Sequence, residues 1–195
     1  MIELEYAHPG RTGKFCMLTQ RDVVKKALPS IVFYHGFTSS NVVYSYFAVA
    51  LAQAGFRVVM PNAAEHGERF NGDGTERLQH FWQILVQNFT EFPTLRDALL
   101  ASGLVSDGRL AVAGASMGGM TALGLMAQHP GVKCVASLMG SGYFSSLSQR
   151  YSRRLRQTLL RRHACWLRWR NGISGTSWRV WRTGLCCYGM EKRMM

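Results

Sequence analysis

The apolar run Arg109-Leu110-Ala111-Val112-Ala113 passes directly into Gly114-Ala115-Ser116-Met117-Gly118, and a helical pattern then extends from Met117 to Gln128, stopped by Pro130. A second apolar run, Val132 to Met139, follows at once. A strand turned into a helix without a linker, and then into another strand, is the crossover unit of a parallel sheet. A hairpin or a helical bundle cannot accommodate this order, so the junction at Ser116 restricts the fold more than any other feature.

The preceding residues repeat the pattern. Pro29-Ser30-Ile31-Val32-Phe33-Tyr34 reads as a buried strand ending at His35-Gly36, and Phe56-Arg57-Val58-Val59-Met60-Pro61 as another. Between them, Thr38-Ser39-Ser40-Asn41 offers N-caps for a helix near Tyr44 to Ala54, closed by Gly55. A longer helix is expected near Arg77 to Glu91, interrupted by Pro93 and resumed from Leu95 to Ala101. Strands that are apolar almost throughout belong to a parallel sheet covered on both faces, so the fold class is α/β. At 195 residues and 47% apolar composition the chain can build one sizeable core. Met1-Ile2-Glu3-Leu4-Glu5 is acidic and lacks an apolar stretch, so no secretory leader is expected; nor is membrane insertion. Five cysteines without paired spacing point to reduced thiols, a cytoplasmic setting and no metal site.

Gly114-Ala115-Ser116-Met117-Gly118 has the G-x-S-x-G spacing of a nucleophile elbow, in the strand-to-helix context that such an elbow needs. A serine on so sharp a turn is pushed out over the carboxyl ends of the strands. Side chains at Gly114 and Gly118 would collide with crossing backbone. A glycine-rich turn with Ser116 merely capping the helix is the bland alternative. His35-Gly36-Phe37-Thr38 follows an earlier strand, where hydrolases of this kind place the second oxyanion donor. On that reading the N–H groups of Phe37 and Met117 face the oxyanion, Ser116 is the nucleophile, and His35 and Gly36 shape the loop.

Residues 1–148 resemble the α/β-hydrolase esterases of the dienelactone-hydrolase and prolyl-oligopeptidase-like branch. The resemblance is carried by Ile31 to Ser40, Tyr44 to Ala52, Gly114 to Gly118 and Met139-Gly140-Ser141-Gly142-Tyr143-Phe144. Met60 to Arg69 resembles the family's Pro-Asp-x-x-x-His-Gly-x-Arg loop, with Asn62 where the family usually has Asp. The resemblance implies hydrolysis of small-molecule carboxylic esters through an acyl-serine, without metal or cofactor.

Serine needs a histidine to take its proton and a carboxylate to orient that histidine, in the chain order Ser, acid, His. After Ser116 the only histidines are His129 and His163, and the only acid, Glu191, follows both. His129 lies about three turns along the helix from Ser116 and reads as a C-terminal residue interacting with the helix dipole. No triad acid or base is therefore expected in this chain.

Composition changes at the same place. Residues 1–148 hold 11 Lys+Arg and 10 Asp+Glu, whereas residues 149–195 hold 12 Lys+Arg and one acid, so nearly all of the +12 net charge lies in the tail. The tail has no proline or phenylalanine, but four of the five tryptophans. In a frame shifted by two bases, Cys186-Cys187-Tyr188 forces Leu-Leu, Met190-Glu191 forces Gly and Met194-Met195 forces Asp. The permitted stretch Asp-Arg-Pro-Leu-Leu-Leu-Trp-His-Gly-Glu-x-Asp-Asp resembles the strand and acid loop that the family carries before its last helix. Residues 149–195 are thus expected to be a non-native reading caused by a frame slip near Gln149, with the final strands, the helix and two triad members lost. Such a tail should add no native strand and carry no site, be helical at most over Ser152 to Arg170, and lie at best against the exposed sheet edge. Two other classes stay open: a catalytically dead hydrolase fold, and a basic protein that binds nucleic acid or membrane surfaces through Arg153, Arg154, Arg161, Arg162 and the tryptophans. The reading preferred is an impaired esterase with no nucleic-acid partner.

Overall fold

The computed structural model describes residues 1–7, 15–155 and 185–189, with side chains described for 1–7 and 15–149. Seven strands form one sheet in the order β1-β2-β4-β3-β5-β6-β7. The strands are β1 (Ile2–Ala7), β2 (Phe15–Gln20), β3 (Leu28–Tyr34), β4 (Arg57–Pro61), β5 (Val105–Ala115), β6 (Val132–Leu138) and β7 (Leu185–Gly189). The helices are α1 (Ser45–Gln53), α2 (Gly74–Gln79), α3 (Phe81–Ala101), α4 (Met117–Gln128) and α5 (Phe144–Leu155). β4, β3, β5 and β6 are parallel to one another, and this is the α/β architecture that the alternating pattern predicts.

The strands alternate between two cores. Val32, Tyr34, Val59, Leu110 and Val112 face the cluster shared with α3 and α4, whereas Ile31, Phe33, Val58, Met60 and Ala113 face the cluster containing Ala48 and Ala52 of α1. Strands packed on both faces need apolar side chains at odd and even positions alike, which explains the uninterrupted apolar runs. All four parallel strands run so that their carboxyl ends meet on one edge, and the loops after β3, β4, β5 and β6 gather there.

The sheet keeps the expected parallel centre and adds antiparallel strands: β1 and β2 form an antiparallel pair, and β2 joins β4 antiparallel. Other expectations are corrected. Pro93 does not divide the long helix, for α3 is continuous from Phe81 to Ala101. Ile84, Leu85, Asn88, Phe89 and Phe92 lie before the proline and Leu95 and Leu99 after it, all buried. Burial on both sides outweighs the roughly 3 kcal/mol that an interior proline costs. The Thr38–Asn41 segment does not cap α1, whose N-cap is Tyr44 without a side-chain hydrogen bond. Asn41 is instead buried, donating through Nδ2 to the Met60 carbonyl.

The tail differs too. α5 runs from Phe144 across the compositional break to Leu155. Leu185–Gly189 pairs antiparallel with β6, Leu185 opposite Leu138 and Gly189 opposite Cys134. The expectation is of no native strand and of a tail lying against this edge at best; the pairing puts a short segment of residues 149–195 on that edge. The edge of β6 presents unpaired backbone N–H and C=O groups, and any short extended segment satisfies them. Residues 156–184 and 190–195, and with them His163, Glu191 and the four tail tryptophans, lie outside the described residues.

Candidate active site

Ser116 is the N-cap of α4 and has φ 53° and ψ −116°, a left-handed conformation that costs a non-glycine residue about 1–3 kcal/mol. It is exposed, while Val112 to Ala115 and Met117 to Met120 around it are buried. Its side chain makes no capping hydrogen bond, so the capping alternative does not describe it. The Ser116 N–H donates to the Leu138 carbonyl at 2.8 Å, and its carbonyl accepts from Met120 N–H at 2.9 Å. The backbone is thus held at both ends, and among the described residues the hydroxyl has no hydrogen-bond partner.

The flanking glycines permit this turn. A Cβ on Gly118 would overlap the Tyr34 carbonyl and stand 2.7 Å from the His35 oxygen; one on Gly114 would lie 2.6 Å from the Tyr34 oxygen. The end of β3 therefore crosses the elbow in contact with its backbone. Gly36 belongs to the same contact: a Cβ there would sit 3.5 Å from the Ala115 carbonyl and 2.8 Å from the Tyr44 hydroxyl. The structure brings His35 and Gly36 beside Gly114–Gly118, joining two motifs some eighty residues apart.

His35 and His66 are both buried, with 1% and 0% of their surface exposed, and their rings lie 5.1 Å apart. His35 Nε2 accepts from Ala63 N–H at 3.0 Å, and His66 Nε2 accepts from Thr38 N–H at 2.9 Å. Since an amide N–H can only donate, each Nε2 is unprotonated and each Nδ1 carries the hydrogen, donated to the Gly36 carbonyl at 2.8 Å and the Ala64 carbonyl at 2.7 Å. Burial lowers the His35 pKa to about 4 and also lowers that of His66, with Arg77 and Arg69 adding to the effect at His66. Neither ring is available as a base. His66 is a residue that the sequence reading passed over except as part of a loop motif.

The loop after β4 is anchored further. Asn62 Oδ1 accepts from Asn41 N–H at 2.9 Å, a bond for which its amide serves as well as a carboxylate. Arg69 donates to the Asn62 carbonyl and forms a two-pronged pair with Glu91 of α3, at 2.9 and 2.7 Å. The Phe37 ring packs edge-on against His66 and Phe81, at 5.3 and 5.0 Å. Met139, with φ 53° and 78% exposed, directly follows the carbonyl that holds Ser116.

His129 is at the far end of α4. Its ring lies against Phe92, Nδ1 accepts from Arg96, and burial followed by the Arg96 charge lowers its pKa. It is therefore a neutral acceptor, and the expected interaction of a charged imidazole with the helix dipole is not what is found. A carboxylate–imidazole pair does occur before Ser116 in the chain: His80 Nδ1 donates to both Glu65 oxygens at 2.9 and 3.0 Å. Both members precede Ser116, outside the chain order Ser, acid, His. Among the described residues no cluster of three His, Cys, Asp or Glu could hold a metal ion, and no helix is long and apolar enough to cross a membrane.

Comparison with known proteins matches residues 25–179 to the family described as serine aminopeptidase, S33. Esterase YjfP of Escherichia coli (strain K12) is 64% identical over 122 residues, 63% of this chain and 49% of its own length. YitV of Bacillus subtilis (strain 168), a candidate esterase, is 38% identical over 136 residues, 69% of this chain and 53% of its own. The chain thus spans about half the length of these relatives. Among solved structures, TT1662 from Thermus thermophilus superposes with a TM-score of 0.60 at 19% identity, over 73% of this chain and 58% of that one. A candidate dienelactone hydrolase from Klebsiella pneumoniae gives 0.59 at 14% identity, over 72% and 61%. These two carry the fold alone.

Proposed function

The chain belongs to the α/β-hydrolase family described as serine aminopeptidase, S33, and on that premise we propose that it is an esterase-type serine hydrolase in which Ser116 attacks the carbonyl of a small carboxylic ester. The observation that carries this reading is the strained, exposed Ser116 at the end of β5, its hydroxyl unused by the helix that it begins. Attack by Oγ on the ester carbon converts the carbonyl oxygen to an oxyanion. The N–H groups of Met117, at the positive end of α4, and of Phe37 are its donors. Collapse expels the alcohol with a proton and leaves an acyl-serine, which water hydrolyses. Among the described residues neither group is engaged with a backbone carbonyl.

A serine also needs a base. His35, His66 and His129 are committed to other contacts, no contact joins the Glu65–His80 pair to Ser116 among the described residues, and His8, His163 and Glu191 lie outside the described residues. Elbow and oxyanion donors without a base retain roughly 10³–10⁴-fold catalysis over water. The reading is therefore of an impaired esterase, and residues 149–195 are a reading shifted from the family frame near Gln149. Five cysteines without paired spacing fit a cytoplasmic setting.

Hydrolysis of p-nitrophenyl acetate and butyrate, with mass detection of acyl-Ser116, tests the chemistry. Slow, Ser116-dependent acylation is expected, and acylation indifferent to Ser116→Ala sinks the assignment. Sequencing the coding DNA around codons 147–150 tests the frame: an unambiguous in-frame reading through the junction removes the frame-slip proposal.

A further inference from the structure

The loop residue Phe37 lies between two groups that are both held by imidazoles. On one side the Gly36 carbonyl accepts from His35 Nδ1–H, and on the other Thr38 N–H donates to His66 Nε2. The arrangement is reciprocal. His35, from the loop after β3, accepts from Ala63 in the loop after β4, while His66, from the loop after β4, accepts from Thr38 in the loop after β3. Thr38 has φ 62°, so the peptide following Phe37 sits in a left-handed turn that its own sequence does not favour. The Phe37 ring packs against His66 as well.

We propose that His66 is a positioning residue for ester hydrolysis: by accepting from Thr38 N–H within a two-histidine clasp, it holds the strained 36–38 turn in which Phe37 N–H is oriented as an oxyanion donor. The proposal rests on the assignment of Ser116 as nucleophile. His66 touches neither the ester nor Ser116 in this scheme and acts only through the loop. A hydrophobic ring of the same size would fill the space but leave Thr38 N–H facing an apolar surface without its acceptor, so packing and positioning can be separated. Protonation would place an N–H on Nε2 against the Thr38 N–H. The clasp thus requires both rings neutral, as their burial provides; Arg77, Glu65 and Arg69 are the charged groups acting on His66, and the His35 ring lies 5.1 Å from it.

The test combines acylation kinetics with imidazole NMR on the 195-residue chain. With p-nitrophenyl acetate, His66→Ala is expected to lower the limiting rate of Ser116 acylation by up to roughly a hundred- to a thousandfold, the range for loss of one oxyanion donor, with the half-saturating ester concentration unchanged. His66→Gln, whose amide oxygen reaches the Nε2 position, should restore most of that rate, whereas His66→Phe should not. In the unaltered chain the ¹⁵N spectrum should show His66 with Nδ1 protonated and Nε2 as acceptor. Equal acylation in the unaltered and His66→Ala proteins overturns the proposal, as does an equal loss in the Gln and Phe variants. If the substitutions prevent folding, a spectrum with Nε2 protonated overturns it by itself. Acylation that survives Ser116→Ala, or no acylation beside an intact imidazole signature, refutes the Ser116 reading instead, and the positioning role with it.

Discussion

Gly118 lies so close beneath Tyr34 that a Cβ on the glycine would occupy the space of the Tyr34 carbonyl. Two segments distant in sequence, the end of β3 and the first turn of α4, are therefore in backbone contact at the site. Gly118→Ala is expected to destabilise the chain by about 3 kcal/mol or more, since the opposing atoms are backbone and cannot rotate away. Gly72→Ala, with nothing within 4 Å of its Cβ, is the control and should stay within about 0.5 kcal/mol. Urea midpoints measure both, and equal midpoints would mean that β3 and α4 separate readily.

The two-pronged pair of Arg69 with Glu91 links the loop after β4 to α3, with side chains only 17% and 22% exposed. Removing one partner leaves the other charge in a poorly hydrated site. Glu91→Ala should cost about 2 kcal/mol, below the 3–5 kcal/mol of a fully buried pair. The Arg69→Ala/Glu91→Ala double variant should lose less than the sum of the singles. Strict additivity in denaturant titrations would show the pair to be uncoupled.

Acid should weaken the fold through the clasp. His35 titrates near 4 when folded and near 6.5 when unfolded, so between those values the unfolded chain binds more protons. The stability contributed by neutral His35 is complete above pH 6.5 and is lost as pH falls toward 4, by roughly 3 kcal/mol in all. The lowered pKa of His66 acts in the same direction. Urea midpoints at pH 7, 5.5 and 4.5 should fall in that order, and His35→Gln should flatten the dependence by about one proton. A midpoint constant over this range contradicts the neutral clasp.

Pro93 interrupts the hydrogen bonding of α3 without ending the helix. Pro93→Ala restores an N–H able to reach the Phe89 carbonyl and should stabilise the chain by about 1–3 kcal/mol. A thermal midpoint that drops instead would show that the ring itself contributes packing greater than the bond regained.

Much of the parallel core was legible because its signals are local. The β5–α4 junction at Ser116, the span of α4 and the strand from Val132 follow from glycine spacing, continuous apolar runs and the stop at Pro130. The strained conformation of Ser116 is implied by the same five residues. The β1–β2 pair was not legible, since short antiparallel strands such as Ile2–Ala7 carry weak patterns and acquire their meaning from a partner. Pro93 misled because propensity acts on one residue, while the face from Ile84 to Leu99 acts through the whole helix.

By itself, then, the sequence determined that this chain makes an α/β sheet with an exposed serine at a strand-to-helix turn, because those properties depend on neighbours along the chain. Only the tertiary structure decided what surrounds that serine. The reciprocal bonds of His35 and His66, the crossing of Tyr34 over Gly118, the Glu65–His80 pair and the placement of Leu185–Gly189 on β6 join residues far apart in sequence. Such contacts arise when burial forces distant backbone donors and acceptors to satisfy one another, and no local pattern specifies which will meet.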